Sequence, residues 1–203
     1  MTSTRAVAAL ASIVGLAGAC WFVALQQMSG MDMGAETELG SFPFFIAVWV
    51  PMMAAMMLPG AVPAVACFVR ANGRALAAPL FAGSYLAVWA LFGPAVYALY
   101  RPHGTSVAGA LVIVAGLYEL TPLKRKCRRR CRESVRSGFQ FGLYCVGSSI
   151  GLMVMLVALG VMSVTWMAVV AVFVLGQKLL APRASIDVPV ALGIVGVGVL
   201  ILT

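Results

Sequence analysis

The stretch Trp49–Pro63, WVPMMAAMMLPGAVP, lies inside an apolar run that extends from residue 42 to residue 69. This run is longer than the roughly 20 residues that an α-helix needs to cross the hydrocarbon core of a bilayer. It contains two adjacent pairs of methionines, bracketed by three prolines. The stretch therefore predicts a membrane-spanning helix, and its methionines either pack a kinked helix or bind a soft metal.

The rest of the chain has the same apolar character. Of its 203 residues, 63% are hydrophobic and only 10% are charged, whereas about a quarter of the residues of a soluble domain are charged. Hydropathy predicts an all-α fold, a polytopic transmembrane bundle that forms one integral membrane domain over residues 1–203. About seven spans are expected, at residues 6–26, 42–69, 76–100, 106–123, 138–160, 163–180 and 186–203.

The positive charges indicate how the spans are oriented. If the N-terminus lies in the cytoplasm and the spans alternate, 13 of the 14 basic residues fall inside and only Arg101 falls outside. Because cytoplasmic loops collect Lys and Arg, this predicts a cytoplasmic N-terminus, an outer C-terminus and a multi-pass protein of the bacterial cytoplasmic (inner) membrane. It gives no reason to expect nucleic acid as a partner. An alternative without the short last span has six helices and a cytoplasmic C-terminus.

A polar loop, residues 27–41, is expected outside the membrane after the first span. It carries Met28, Met31 and Met33 beside Asp32. Thioether sulfur is soft and prefers Cu(I) to hard ions, so this loop is a candidate for copper capture. The alternative is a methionine-rich loop that lies on lipid.

The methionines of the second span also have two interpretations. Met52 and Met56 are four residues apart, as are Met53 and Met57, so each pair lies on one helical face. Pro59, with the prolines on either side of it, favours a bend or break in the helix. The methionines then form either a relay of thioethers at a broken helix or packing around a proline kink.

The segment Tyr118–Arg132, YELTPLKRKCRRRCR, leads from a span into a basic cytoplasmic loop expected at residues 124–137. Glu119 is a carboxylate within an apolar span, which makes it a functional candidate, and pairing with a nearby Arg is the alternative. Cys127 and Cys131 share a face if the segment is helical, and their basic neighbours should favour thiolates, which bind Cu(I) or zinc. The alternatives are a redox dithiol or two incidental cysteines in a segment that binds anionic lipid. The lipid-binding side chains would be Lys124, Arg125, Lys126, Arg128, Arg129 and Arg130.

Three further residues complete the set of candidates. Cys145 and Cys67 lie in the cytoplasmic halves of the fifth and second spans, so thiols are expected inside and thioethers at mid-membrane and outside. Such a gradient would suit inward handover of Cu(I), whereas the alternative for each cysteine is a small buried hydrophobe. His103, the single histidine, is expected in an outer loop, where joining an outer site is the alternative.

Three blocks of the sequence resemble a bacterial domain-of-unknown-function family of predicted metal-binding integral membrane proteins. They are WVPMMAAMMLPGAVP (49–63), LYELTPLKRKCRRRCR (117–132) and GLYCVGSSIGLMVM…GVMSVTWMAVVAVFVLGQKLL (142–180). The resemblance implies metal binding, and the positions that match the family are Met53, Met56, Met57, Pro59, Cys127, Cys131 and Cys145. The chain departs from the family pattern where Arg130 replaces a frequent histidine and where Ser148 and Ser149 replace a cysteine cluster, so the resemblance implies fewer soft ligands here.

These observations favour an integral membrane protein that binds or translocates a soft transition metal through Met and Cys sulfur, with Cu(I) as the expected ion. The alternatives are a non-catalytic accessory or scaffold subunit of a membrane complex, and a thiol-redox protein that uses Cys127 and Cys131. The chain has no nucleotide-binding loop and no zinc-protease signature, so an ATP-driven pump or a hydrolase is disfavoured and no enzymatic activity is expected. The expected partners are the lipid bilayer, anionic lipid at the basic loop, and a metal chaperone or a membrane complex.

Overall fold

The computed structural model describes residues 2–29, 39–72, 76–133, 136–180 and 184–203. Over these ranges the chain forms eight α-helices and no strand. The helices are α1 (Thr2–Met28), α2 (Phe42–Asn72), α3 (Ala77–Leu99), α4 (Thr105–Glu119), α5 (Pro122–Glu133), α6 (Gly138–Gly160), α7 (Val164–Leu179) and α8 (Ala184–Leu202).

The predicted spans are all helical, but they differ in length. Four helices, α1, α2, α3 and α6, are long and apolar enough to cross a bilayer. Helices α4 and α5 pass the same test only together, and they are bent by 62° at the break between them. Helices α7 and α8 have shorter apolar segments, 164–179 and 187–202. The helical fold is thus confirmed, while the number of seven spans and the orientation of the termini stay predictions.

The surface of the bundle carries large apolar side chains. Leu76, Leu99, Val172 and Leu200 are between 71% and 82% exposed. A water-soluble protein rarely leaves so many large apolar side chains uncovered, because contiguous exposed patches are normally small. This surface is compatible with a membrane protein.

Helix α2 packs against α1, α3 and α7. It runs as one helix of 31 residues, with its prolines inside it. The methionine pairs are buried on both faces, since Met52, Met53, Met56 and Met57 are each 0–1% exposed. The expected break in the helix is therefore wrong, and both pairs, rather than one, face the interior of the protein.

Helices α4 and α8 pack with their backbones in close approach. A Cβ atom at Gly198 would lie 2.9 Å from the carbonyl oxygen of Gly109, so glycine is needed there. Small residues allow this approach between membrane helices. The contact holds α8 beside α4 and brings Asp187, near the start of α8, to the end of the bundle where α5 lies.

The basic segment expected as a loop at 124–137 is instead helix α5 as far as Glu133. The Thr121 hydroxyl accepts a hydrogen bond from the backbone N–H of Lys124 and so caps the first turn of α5. Helix α5 packs along α6. We call the end of the bundle that holds α5 the basic end. Most of the expected outer loop lies outside the described residues, including Met31 and Met33. Met28 is buried at the end of α1.

Candidate metal centre

Two buried ion pairs fasten α5 to the bundle. The Lys124 ammonium donates to the Glu119 carboxylate, and the Arg128 guanidinium donates to the carboxylate of Asp187. Gln177 joins the pairs, because its side-chain N–H donates to Glu119 Oε2 at 2.6 Å and its backbone carbonyl accepts from Arg128 Nε at 2.8 Å. Buried charges are tolerated when they are paired in this way. The network connects α4, α5, α7 and α8.

This arrangement corrects the prediction of lipid binding for two of the basic residues. Lys124 is 1% exposed and Arg128 is 4% exposed, so neither is available to a lipid headgroup. Arg125, Lys126, Arg129 and Arg130 are exposed on the other face of α5. The Glu119 carboxylate is deep in the protein as expected, and its partner is a lysine; Asp187 is a second buried carboxylate.

The face of α5 that turns toward α6 carries the two cysteines of the basic segment. Cys127 packs on Gly147, where a Cβ atom would lie 2.8 Å from the Cys127 sulfur. Cys131, one turn further along, lines a cavity of about 270 Å³. The basic segment therefore folds back on the helix that carries Cys145, which is the condition for these cysteines to act together.

The cavity lies at the basic end, between α2, α5, α6 and α7. Its lining is chemically mixed, with apolar residues of α2 on one side and polar residues of α6 and α7 on the other. The polar and sulfur-bearing side chains in the lining are Cys67, Arg128, Cys131, Ser148, Gln177 and Lys178. Ser148, one of the two serines that stand where the resemblance implies cysteines, also lines the cavity.

The buried hydroxyl of Tyr85 on α3 connects the cavity to two more sulfur atoms. It lies 3.2 Å from Cys145 Sγ and accepts a hydrogen bond from Lys178 Nζ at 2.9 Å. Lys178 Nζ is also 4.0 Å from the thioether sulfur of Met57. The long side chain of Lys178 reaches this position only because residue 60 is glycine, since a Cβ atom there would collide with its stem. Met57, Cys145 and Lys178 therefore meet around Tyr85.

The electrostatic setting of Cys131 differs from the expectation. Burial raises the pKa of the Cys131 thiol to about 12, and the neighbouring Cys145 adds to the increase. Lys178 and the Ser148 hydroxyl act on this pKa in the opposite direction but do not offset the burial. The metal-free protein therefore carries Cys131 as a thiol, although the basic neighbours in the sequence predicted a thiolate. A metal that binds there must displace the proton.

Other predicted residues lie away from the cavity. Met52, Met53 and Met56 belong to the hydrophobic core. His103 lies in the connection between α3 and α4, where its Nδ1 is 2.8 Å from the carbonyl oxygen of Arg101. Its other ring nitrogen is 3.3 Å from the carbonyl oxygen of Ala158, at the opposite end of α6 from Cys145. Within the described ranges, no group of three or more His, Cys, Asp or Glu side chains is placed to hold a metal ion.

Sequence reasoning missed the residues that surround the sulfur atoms. The sequence indicates Lys178 only as one of the basic residues on the inner side of the membrane. No site predicted from the sequence includes Tyr85, Gln177 or Asp187. A signal was present for two of them, because Gln177 and Lys178 form a polar pair at the end of an apolar helix. Asp187 likewise stands alone in an apolar segment, where an acidic residue marks a functional candidate.

Comparison with known families identifies the chain at a general level. The model of a family described as a copper chaperone, PpoB2, matches residues 46–201. The chain belongs to the PpoB2 copper chaperone family. The match covers α2 to α8, including all residues around the cavity, and it supports the predicted link to copper and a non-catalytic role. Searches of the curated proteins and of the solved structures found no match.

Proposed function

We propose that this member of the copper chaperone family holds Cu(I) between the thiolates of Cys131 and Cys145, with the Met57 thioether as an additional ligand. The observation that supports this most is the convergence of these side chains. Cys145 and Met57 both lie around the Tyr85–Lys178 contact, and Cys131 lines the same cavity as Lys178. Soft thiolate and thioether donors are the ligands that select Cu(I).

The chemistry is an exchange of two protons for one copper ion. Two thiols and Cu(I) give a dithiolate complex of charge −1 and release two protons. Copper is the cargo here, and the site needs few ligands because Cu(I) is stable with two sulfur donors. Cys127 is a further thiol, one helical turn from Cys131 on the same helix.

Cys67 gives this site a route to the surface. It is exposed and lines the same cavity as Cys131. A thiol at the edge of a cavity can pass copper on by ligand exchange, since each new Cu–S bond forms as another one breaks. We therefore propose that Cu(I) enters or leaves through the basic end of the bundle, past Cys67, by exchange with the thiols of a metal chaperone.

The membrane setting is part of the proposal. From the distribution of the basic residues we propose that the basic end lies in the cytoplasm of a bacterium, with a methionine-containing loop outside. The methionine pairs of α2 lie between these two sides and have soft donors in the core. A relay of thioethers along α2 would then connect the outer loop to the thiols, with Met57 as its last member.

An anaerobic Cu(I) titration of the purified protein in detergent, against a chromogenic competitor, tests this proposal. The wild-type protein is expected to bind Cu(I) and the double variant Cys131→Ser/Cys145→Ser to lose this binding. Cys20→Ser is the control, because Cys20 lies on α1 and does not line the cavity. Equal stoichiometry and affinity in the double variant would contradict the proposed site. A reversible Cys127–Cys131 disulfide in a protein that binds no metal would instead support a thiol-redox function.

A further inference from the structure

Lys178 places a positive charge among the sulfur atoms, and none of the carboxylates that the structure describes pairs with it. The two described carboxylates of this region, Glu119 and Asp187, pair with Lys124 and Arg128. The ammonium of Lys178 instead bonds the Tyr85 hydroxyl. It also lies 5.3 Å from the centre of the Tyr85 ring and 5.6 Å from that of Phe141. These aromatic contacts attract a cation but leave its full charge in the site.

The charge of a metal–thiolate complex depends on the ion. A monovalent ion with two thiolates gives a complex of charge −1, whereas a divalent ion with the same two thiolates gives a neutral complex. Adding the ammonium of Lys178 makes the first assembly neutral and the second one +1. A net charge in a poorly solvated site is costly, so the neutral assembly is favoured.

We infer that Lys178 selects the charge of the bound ion: its ammonium neutralises the dithiolate complex of a monovalent soft ion and disfavours a divalent one. This inference rests on the proposed copper site and adds a selectivity to it. Sulfur ligands alone do not supply that selectivity, because thiolates also bind Zn(II). The position of Lys178, which lines the same cavity as Cys131 and whose ammonium contacts the Tyr85 hydroxyl beside Cys145, supplies it.

Titrations with Ag(I) and Cd(II) test the inference on the full-length protein in detergent. Ag(I) is a redox-stable monovalent soft ion, and Cd(II) is a divalent soft ion with an ultraviolet thiolate charge-transfer band. We expect Lys178→Leu, which removes the charge without adding a sulfur donor, to lower the affinity for Ag(I) by about tenfold or more and to raise the affinity for Cd(II). The reason is that the Ag(I) complex is then left with an uncompensated charge of −1, whereas the Cd(II) complex is neutral. Lys178→Arg, which keeps the charge, should retain the wild-type preference for Ag(I).

A matched control and a second neutral variant separate charge from structure. Lys126→Leu removes an exposed charge of α5 that does not line the cavity, so it should leave both affinities unchanged. Lys178→Gln keeps a polar end toward Tyr85 and should shift the Ag(I)/Cd(II) ratio in the same direction as Lys178→Leu, even if one of the variants is less stable. A ratio that is unchanged in both neutral variants overturns the inference, as does a parallel loss of both affinities.

Different results would contradict the proposed copper site and the proposed role of Lys178. If the wild-type protein binds no Ag(I), or binds it equally well without Cys131 and Cys145, the proposed copper site is wrong and the selectivity falls with it. If Ag(I) binding depends on both cysteines but the Ag(I)/Cd(II) ratio does not depend on the charge at residue 178, only the role of Lys178 is wrong.

Discussion

The two faces of helix α5 have the same residue types and opposite surroundings. Lys124 and Arg128 lie on the inner face and are 1% and 4% exposed. Arg125 and Arg129, each the next residue along the chain, lie on the exposed outer face. The inner face also carries the cysteines that approach α6. One side of this short helix therefore holds the buried ion pairs and the thiols, and the other side is an exposed basic surface.

This difference shows that distant carboxylates, and not the basic run itself, determine how α5 is placed. Asp187, which is 59 residues away in sequence, accepts from Arg128, and Glu119 on the preceding helix accepts from Lys124. An unpaired buried cation would be expensive, so each inner cation needs its own partner. The outer cations have no such requirement and remain available to an anionic surface.

The largest expected effect comes from breaking the inner face. Arg128→Ala leaves the Asp187 carboxylate buried without its partner, which should lower the free energy of unfolding by about 3–5 kcal/mol. Arg129→Ala on the outer face should change it by no more than about 0.5 kcal/mol. Denaturation in detergent, followed by circular dichroism, measures both. Equal effects of the two variants would show that the ion pair does not hold α5 in place.

The second effect concerns the two cysteines of α5. Cys131 lines the cavity beside Lys178, whereas Cys127 packs against Gly147. We expect Cys131→Ser to weaken Cu(I) binding by about 10–100-fold and Cys127→Ser to weaken it less, because removing a soft donor costs affinity only where it ligates the ion. Competition titrations under anaerobic conditions measure the two affinities. If Cys127→Ser weakened Cu(I) binding more than Cys131→Ser does, the copper site would lie beside Gly147 and not in the cavity.

A gain of affinity is expected on α6. Ser148 lines the cavity, while Ser149 is buried but does not. Ser148→Cys should therefore tighten Cu(I) binding by roughly tenfold, since it adds a thiolate at the site, and Ser149→Cys should have little effect. The same competition titration compares the two variants. If only Ser149→Cys tightens binding, the cavity is not where copper sits.

The smallest effect per substituted residue is expected on the outer face of α5. Replacing Arg125 and Arg129 by Gln should weaken the binding of anionic lipid by about 1 kcal/mol for each charge removed. Reconstituted protein and native mass spectrometry with phosphatidylglycerol provide the measurement, with increasing salt as a control for the electrostatic origin. If the double variant still binds anionic lipid as strongly as the wild-type protein, the outer face of α5 is not the lipid-binding surface.

The sequence predicts the membrane-spanning helices, because each of them coincides with an apolar run. The apolar run of α2 has no polar face, and the structure buries residues on all sides of this helix. The sequence does not predict α5, since a run of like charges is usually a solvated loop and its carboxylate partners lie elsewhere in the chain. It also identifies Cys131, Cys145 and Met57 as candidates without bringing them together. The contact between Lys178 and Tyr85 joins residues 93 positions apart, and no local spacing indicates such a pairing.

X-ray absorption at the copper edge of the anaerobically loaded protein tests the central claim most directly. We expect Cu(I) in an all-sulfur environment of two or three donors. The spectrum should change when Cys131 or Cys145 is replaced by Ser and should not change in Cys20→Ser. A copper spectrum dominated by nitrogen or oxygen donors, or one that is unaffected by both serine substitutions, would contradict it.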